Sequence, residues 1–374
     1  MKKLNKIIML LVAMMLVLTA CTTDSNPQDN GENITDETYK NIMFVVTGTL
    51  GGRTNNDDVL AAITDYVATV DGNVDTFECN MDASLYESTL MQVAETGEYD
   101  LIVTGFGTMI EPVSNTAERY PDQKFLIFDT QMDFSNGANS NVVSVQVLQN
   151  EGGFLAGALA AQLTTSDAEY ANGDKVVGFV GAMESTSILD FLMGYIEGVN
   201  YVDPSIEVLY SFVGNHTDSA LAKELGLSQY QQGADVVFAV GQNGLGVAEA
   251  AADAGRYLVG VDFDYSERLE TTNKDAASKV LTSVIKDYRG MVYPMLEAIN
   301  EGTIEWGTHS FISHAEEGVY LVNNDYTQAI VPSEVWSEYE SVVEELNSGN
   351  IKVSTAFGAS TDEIDKVKSE AKPQ

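Results

Sequence analysis

Two stretches far apart in the chain, "DLIVTGFGTMIEPVSNTAERYPDQKFLIFD" (100–129) and "DVVFAVGQNGLGVAEAAADAGRYLVGVD" (235–262), share one grammar: aspartate, apolar strand, glycine turn, helix, apolar strand, aspartate. A strand that is apolar along its whole length has both faces covered, and a helix between two such strands is the crossover of a parallel pair. The same alternation runs through most of the chain. Strands are expected at 41–46, 74–79, 100–105, 124–129, 142–147, 175–181, 206–212, 235–241, 257–262 and 280–285. Helical patterns lie between them at 57–70, 151–163, 187–200, 217–231 and 245–255. The fold class is therefore α/β, with two doubly wound, Rossmann-like parallel-sheet domains. Such sheets bind ligands beyond the carboxyl ends of their strands, so the residues that close each strand are the first candidates for a site.

The N-terminus says where the chain works. Lys2, Lys3 and Lys6 precede an apolar run from Ile7 to Leu18. That order is a secretory signal, and the run is too short to span a bilayer comfortably. It ends in "LTAC" (18–21), which resembles the bacterial lipobox and marks Cys21 for lipidation as the mature N-terminus. Residues 21–39 are rich in Asn, Asp and Thr and bury too little to fold, so they read as a flexible tether. The protein is expected on the cell membrane, lipid-anchored on its extracellular face, or in the periplasm if the source has an outer membrane.

Charge removes whole classes of partner. The chain carries 56 acidic residues against 19 basic ones, a net charge of −37, and loss of residues 1–20 with three lysines and no acid gives −37 − 3 = −40. Nucleic acids and anionic lipid surfaces are bound through lysine and arginine, so neither is expected as a partner. Cys79 is the one cysteine besides Cys21. With Cys21 acylated no intrachain disulfide can form, and stability has to come from a large core.

The loops carry little catalytic chemistry. "GTLGGRTNNDD" (48–58) sits between a strand and a helix as a phosphate loop would, but it lacks the Gly-Lys-Ser/Thr ending and the dinucleotide glycine spacing. Its glycines allow a sharp turn, and Asn55, Asn56 and Asp57 suit either a helix cap or a ligand contact, while Arg53 faces ligand or solvent. His216, His309 and His314 stand in no metal or nucleophile pattern and are expected at the surface. No serine elbow, zinc helix or Cys-x-x-Cys occurs. No metal and no cofactor is expected, although carboxylate pairs leave hydrolysis open.

Several blocks, in order, resemble one family. "AERYPDQKFLIFD" (117–129), "NEGGFLAGALAAQLT" (150–164), "KVVGFVGAMESTSILDFLMGYIEGV" (175–199), "GADVVFAVGQNGLGVAEAAADAG" (233–255), "GVDFD" (260–264) and "VLTSVIKD" (280–287) are similar to those of the basic membrane protein lipoproteins, nucleoside-binding components of ABC importers. The resemblance covers nearly the whole mature chain. It implies a type I periplasmic binding protein fold, two lobes joined by three crossings around a ligand cleft. It divides the chain into an N-terminal lobe of 40–147 plus about 265–311, a C-terminal lobe of 148–264 plus about 312–360, and a tail of 361–374 that reads as a fraying helix or disorder.

The resemblance also implies roles. Asp262 matches the carboxylate that takes ribose hydroxyls, Lys286 the lysine that assists it, and Asn56 the asparagine that closes the first-loop motif. Gly105, Phe106, Asp129 and Gly241 fall on strand ends that line the cleft. One position departs: Asn55 stands where the family has a phenylalanine that stacks on the base. Loss of that face removes about 1–3 kcal/mol. The ligand is then smaller than a purine nucleoside, differently oriented, or stacked by Phe106, Phe191 or Phe263. The implied protein is a monomeric, non-enzymatic receptor that passes a nucleoside-like small molecule to ABC permease subunits. A ligand-sensing regulatory lipoprotein and an exported nucleoside hydrolase are the rival readings.

Overall fold

The computed structural model describes residues 38–372 apart from Arg53. The signal peptide, Cys21, most of the tether and Arg53 lie outside the described residues. The chain begins as β1 (Asn41–Val46), α1 (Asn55–Thr69), β2 (Asn73–Glu78), α2 (Tyr86–Thr96), β3 (Leu101–Gly105), α3 (Ile110–Arg119), β4 (Lys124–Phe128) and β5 (Val142–Val147). It continues through α4 (Gln149–Thr164), β6 (Val176–Gly181), α5 (Thr186–Val202), β7 (Glu207–Phe212), α6 (Ser219–Gln231), β8 (Ala234–Val240), α7 (Gly244–Ala254), β9 (Tyr257–Val261), α8 (Tyr265–Glu270), α9 (Lys274–Ala277) and β10 (Val280–Lys286). The last elements are α10 (Tyr288–Asn300), β11 (Thr308–Ile312), β12 (Val319–Leu321), α11 (Asp325–Ile330), α12 (Ser333–Asn347) and α13 (Thr361–Ser369).

These strands form two six-stranded sheets, ordered β11-β5-β4-β3-β1-β2 and β12-β10-β9-β8-β6-β7. The orders superimpose: β1 to β5 of one sheet correspond to β6 to β10 of the other. The two stretches of shared grammar are β3-α3-β4 and β8-α7-β9, at equivalent places. The sixth strands differ in direction, β11 running parallel to β5 and β12 antiparallel to β10. Helices cover both faces. In the first lobe, one core joins α1 and α10 to the sheet and a second lies under α2 and α3. In the second lobe, α4, α5, α12 and α13 cover one face and α6 to α9 the other.

The chain crosses between lobes three times, after β5, after β10 and after β11. The second crossing differs from the expected one. Residues 265–286, assigned above to the first lobe, belong to the second: Tyr265, Leu269, Ala276 and Val280 are in its core, and β10 extends its sheet beside β9. β10 does for this sheet what β5 does for the other, so the chain leaves only at α10. The tail is also more ordered than expected. α13 docks with Val367 and Ala371 in the core of the second lobe, and the Ala371 carbonyl accepts from Val208 N–H of edge strand β7 at 2.7 Å.

Small residues let the second lobe pack tightly. A Cβ on Gly153 or Gly157 of α4 would lie 2.4 or 2.2 Å from the carbonyl oxygens of Phe191 and Tyr195. On Gly194 or Gly198 of α5 it would lie 2.0 Å from those of Asn150 and Phe154. The helices therefore touch backbone to backbone. This explains why "GGFLAGALAA" forms a helix buried almost all round.

Candidate functional site

The strand ends that meet at the lobe junction share an uncommon backbone. Phe106 after β3 has φ of 72°, Asp129 after β4 54°, Gly241 after β8 128° and Asp262 after β9 66°. For the residues with side chains this conformation costs on the order of 1–3 kcal/mol and persists where the surroundings impose it. Neighbouring strands impose it here: the N–H groups of Phe106, Asp129 and Asp262 donate to Phe128, Val145 and Val284 carbonyls at 2.9, 2.8 and 2.9 Å. The backbone then turns sharply and aims each side chain out of the sheet. Gly241 needs both its positive φ and its missing side chain, since a Cβ would lie 2.4 Å from that of Ala182. Gly105 serves packing instead, because a Cβ there would lie 2.2 Å from the Phe128 ring.

Lys286 ends β10 and joins the lobes. Its Nζ lies 2.8 Å from Asp129 Oδ2 of the first lobe and 3.9 Å from Asp262 Oδ1 of its own. The expected Asp262–Lys286 contact is therefore the looser of the two. Tyr288, the first residue of α10, donates its hydroxyl to the same Asp129 Oδ2 at 2.8 Å. Burial works against the charged lysine, but Asp129 and Asp262 outweigh it and hold the ammonium above its ordinary range. Burial raises the Asp262 carboxyl; Lys286 opposes that rise and Asp129 adds to it. Burial, then Asp129 and Asp262, push the Tyr288 phenol well up. Behind Lys286, Asp190 of α5 accepts from Thr355 Oγ1 at 2.6 Å and Ala356 N at 2.8 Å, and burial pushes its carboxyl up to about 6.

Asn55 and Asn56 do not cap α1. Thr54 and Asp57 do that, with Thr54 N–H donating to Asp57 Oδ2 at 2.7 Å. The same turn answers the phosphate question. Gly51 N–H donates to Asp57 Oδ1 at 2.6 Å and Leu50 N–H to Glu78 Oε2 at 2.9 Å, so protein carboxylates take the amides a phosphate would need. Asn55 is half-buried at the start of α1, and Asn56 is buried beside Gly48. The helix after β9 is capped by Asp264, whose Oδ1 accepts from Ser266 N–H at 2.9 Å, so Asp262 is not needed there.

What the cluster offers a ligand is a set of acceptors. Asn55 Oδ1, Asn56 Oδ1, Asp129 Oδ1 and Asp262 Oδ1 are buried with no hydrogen-bond donor among the described residues. Each such atom costs about 1–3 kcal/mol that a donor can recover. Of the rings, Phe106 is half-buried, edge-on to Phe128 at 5.3 Å and 6.3 Å from Tyr288. Phe191 is a core residue, and Arg268 already covers Phe263 at 4.8 Å.

Tyr288, Asp190 and Thr355 were missed by sequence reasoning; only the "KDY" that continues the β10 strand end pointed at Tyr288. Of the histidines, His216 is exposed as expected. His309 is not: its Nδ1 lies 2.7 Å from Ser144 Oγ, and burial lowers its pKa to about 4. Among the described residues no group of His, Cys, Asp and Glu could hold a metal, and no helix is long and apolar enough to cross a membrane.

Residues 39–356 match the family model described as ABC transporter substrate-binding protein PnrA-like. The chain belongs to the PnrA-like substrate-binding proteins. The nucleoside-binding protein BmpA of an ABC transporter in Lactococcus lactis is 29% identical over 265 residues, 68% of this chain and 72% of that one. A CD4+ T-cell-stimulating antigen of Listeria innocua is 26% identical over 92% of this chain and 96% of its own. Basic membrane protein D of Borreliella burgdorferi is 28% identical, but the match spans 57% of this chain and 59% of that protein. An ABC transporter solute-binding protein from Aeropyrum pernix has the same fold, with a TM-score of 0.73 at 21% identity over 89% of this chain and 98% of its own. As a PnrA-like protein the chain is an ABC transporter substrate-binding protein.

Proposed function

We propose that this PnrA-like receptor captures a nucleoside between its lobes outside the cell and delivers it to an ABC permease, held at the membrane by lipid on Cys21. The observation that carries the reading is the junction itself. Lys286 is gripped by Asp129 of one lobe beside Asp262 of the other, and one oxygen of each carboxylate still lacks a donor. A ribose diol supplies two adjacent donors, and Asp262 has the position to accept them while Lys286 donates back. A ligand that satisfies acceptors on both lobes at once favours the closed arrangement by that differential contact. The name of the Lactococcus relative agrees with a nucleoside.

Calorimetric titration of matched ribo- and 2′-deoxyribonucleosides tests it. A hydrogen bond to a charged group is worth about 1.5–3 kcal/mol, so the deoxy partner should bind roughly 10- to 150-fold more weakly. Equal affinities would remove Asp262 from sugar recognition, and no binding by any nucleoside would remove the ligand class.

A further inference from the structure

Asp129 has two donors on one oxygen and none on the other. Lys286 Nζ and the Tyr288 hydroxyl both lie 2.8 Å from its Oδ2, while Oδ1 is buried without a donor among the described residues. The two donors are built on different bodies. Lys286 ends β10 of the second lobe, so its bond to Asp129 spans the lobes. Tyr288 opens α10 and lies in the core of the first lobe, to which Asp129 also belongs, so its bond stays within one body. The place of Tyr288 is fixed without help from Lys286. Its ring packs edge-on against Phe128, the residue before Asp129, at 6.2 Å, and lies 6.3 Å from Phe106. Asp287 caps α10 at this point, accepting from Gly290 N–H at 2.8 Å.

We infer that Tyr288 is a positioning residue for ligand capture: it holds the Asp129 carboxylate in place while the lobes are open, so that the cleft meets the ligand with this acceptor already aimed. The inference rests on the reading of the lobe junction as the nucleoside site. When the lobes part, Lys286 turns away with the second lobe, and the Tyr288 bond persists. Without that bond the open receptor would leave the Asp129 side chain free to change rotamer. Ordering one such side chain on binding weakens affinity roughly 2- to 12-fold. The loss falls on association, because only the fraction of open receptor with Asp129 in place is competent to bind.

The test is stopped-flow binding of adenosine and inosine to the mature chain and to Tyr288→Phe, which keeps the ring and removes the hydroxyl. For the nucleoside that binds more tightly, association should slow roughly 2- to 12-fold while dissociation stays nearly unchanged. A thermal melt establishes that the variant is folded. A folded Tyr288→Phe protein with unchanged association, or with its loss wholly in dissociation, would overturn the inference and leave the nucleoside reading standing. Failure of both nucleosides to bind the parent would remove the nucleoside reading, and the inference is then decided without ligand. Tyr288→Phe should lower the melting temperature of the parent by more than that of an Asp129→Asn protein, whose neutral acceptor holds a hydroxyl more weakly. Equal shifts in the two backgrounds would overturn it.

Discussion

Asp129 and Asp262 close equivalent strands, yet their substitution should have opposite signatures. Asp129 holds both Lys286 and Tyr288, so Asp129→Ala leaves a buried ammonium without its close partner and should destabilise by about 3–5 kcal/mol. Asp262→Ala leaves the Lys286–Asp129 pair intact and should change stability far less while weakening ribonucleoside binding. Denaturant unfolding alongside calorimetry checks both. Asp190 gives a pH test. Its folded pKa of about 6 lies above its ordinary value of 3.8, so its contribution is full below pH 4 and is lost as pH rises through 6. Asp190→Asn keeps an acceptor for Thr355 and Ala356 and removes the charge. At pH 8 it should be more stable than the parent by up to about 3 kcal/mol, with the advantage fading toward pH 4, provided Lys286 keeps Asp129 as its counter-ion. Equal unfolding midpoints at pH 8 would contradict it. Asp129, Asp262 and Lys286 were legible because each ends an apolar strand. Tyr288 and Asp190 were not, because neither closes an apolar strand and their partners, like that of Lys286, lie more than 150 residues away: 288 − 129 = 159 and 355 − 190 = 165.

The central elements were legible for a related reason. Strands buried on both faces write their bounds as apolar runs, and the expected and observed limits agree to about one residue. β11 and β12 were missed: "THSFI" is half-exposed along its length, and β12 is a three-residue edge piece. The second crossing was misplaced because Asp262 and Asp264 look like the end of a lobe, whereas the chain needs one more strand to finish its sheet. Helix packing supplies a prediction. Gly157→Ala drives a methyl group into the Tyr195 carbonyl, and overpacking of this kind should cost at least about 1–3 kcal/mol, while Ser341→Ala on the exposed face of α12 should be near neutral. Thermal melts of the two variants compare them. Removal of residues 361–374 should uncover the β7 edge and Tyr210, lowering the melting temperature and promoting association visible by light scattering.

At the scale of the molecule, the paired lobes and the ion pair between them predict a hinge. Saturating nucleoside should reduce the radius of gyration measured by small-angle scattering; an unchanged profile would remove closure from the mechanism. Cys21→Ala should move the protein from the membrane fraction to the soluble one without changing its melting temperature.

The third crossing has a consequence for how the molecule is made. β11 completes the first sheet, although that sheet's other strands end at Val147, and the whole second sheet except β12 is written in between. As the chain is synthesised, its leading lobe must wait with an unfilled edge at β5 while most of the trailing lobe is made. Because the missing strand comes last, a fragment ending before Thr308 should be a poor folder even though it contains β1 to β5. The two lobes then reach completion almost together, late in synthesis, which makes intermediates vulnerable to proteases and to pairing with other chains along β5.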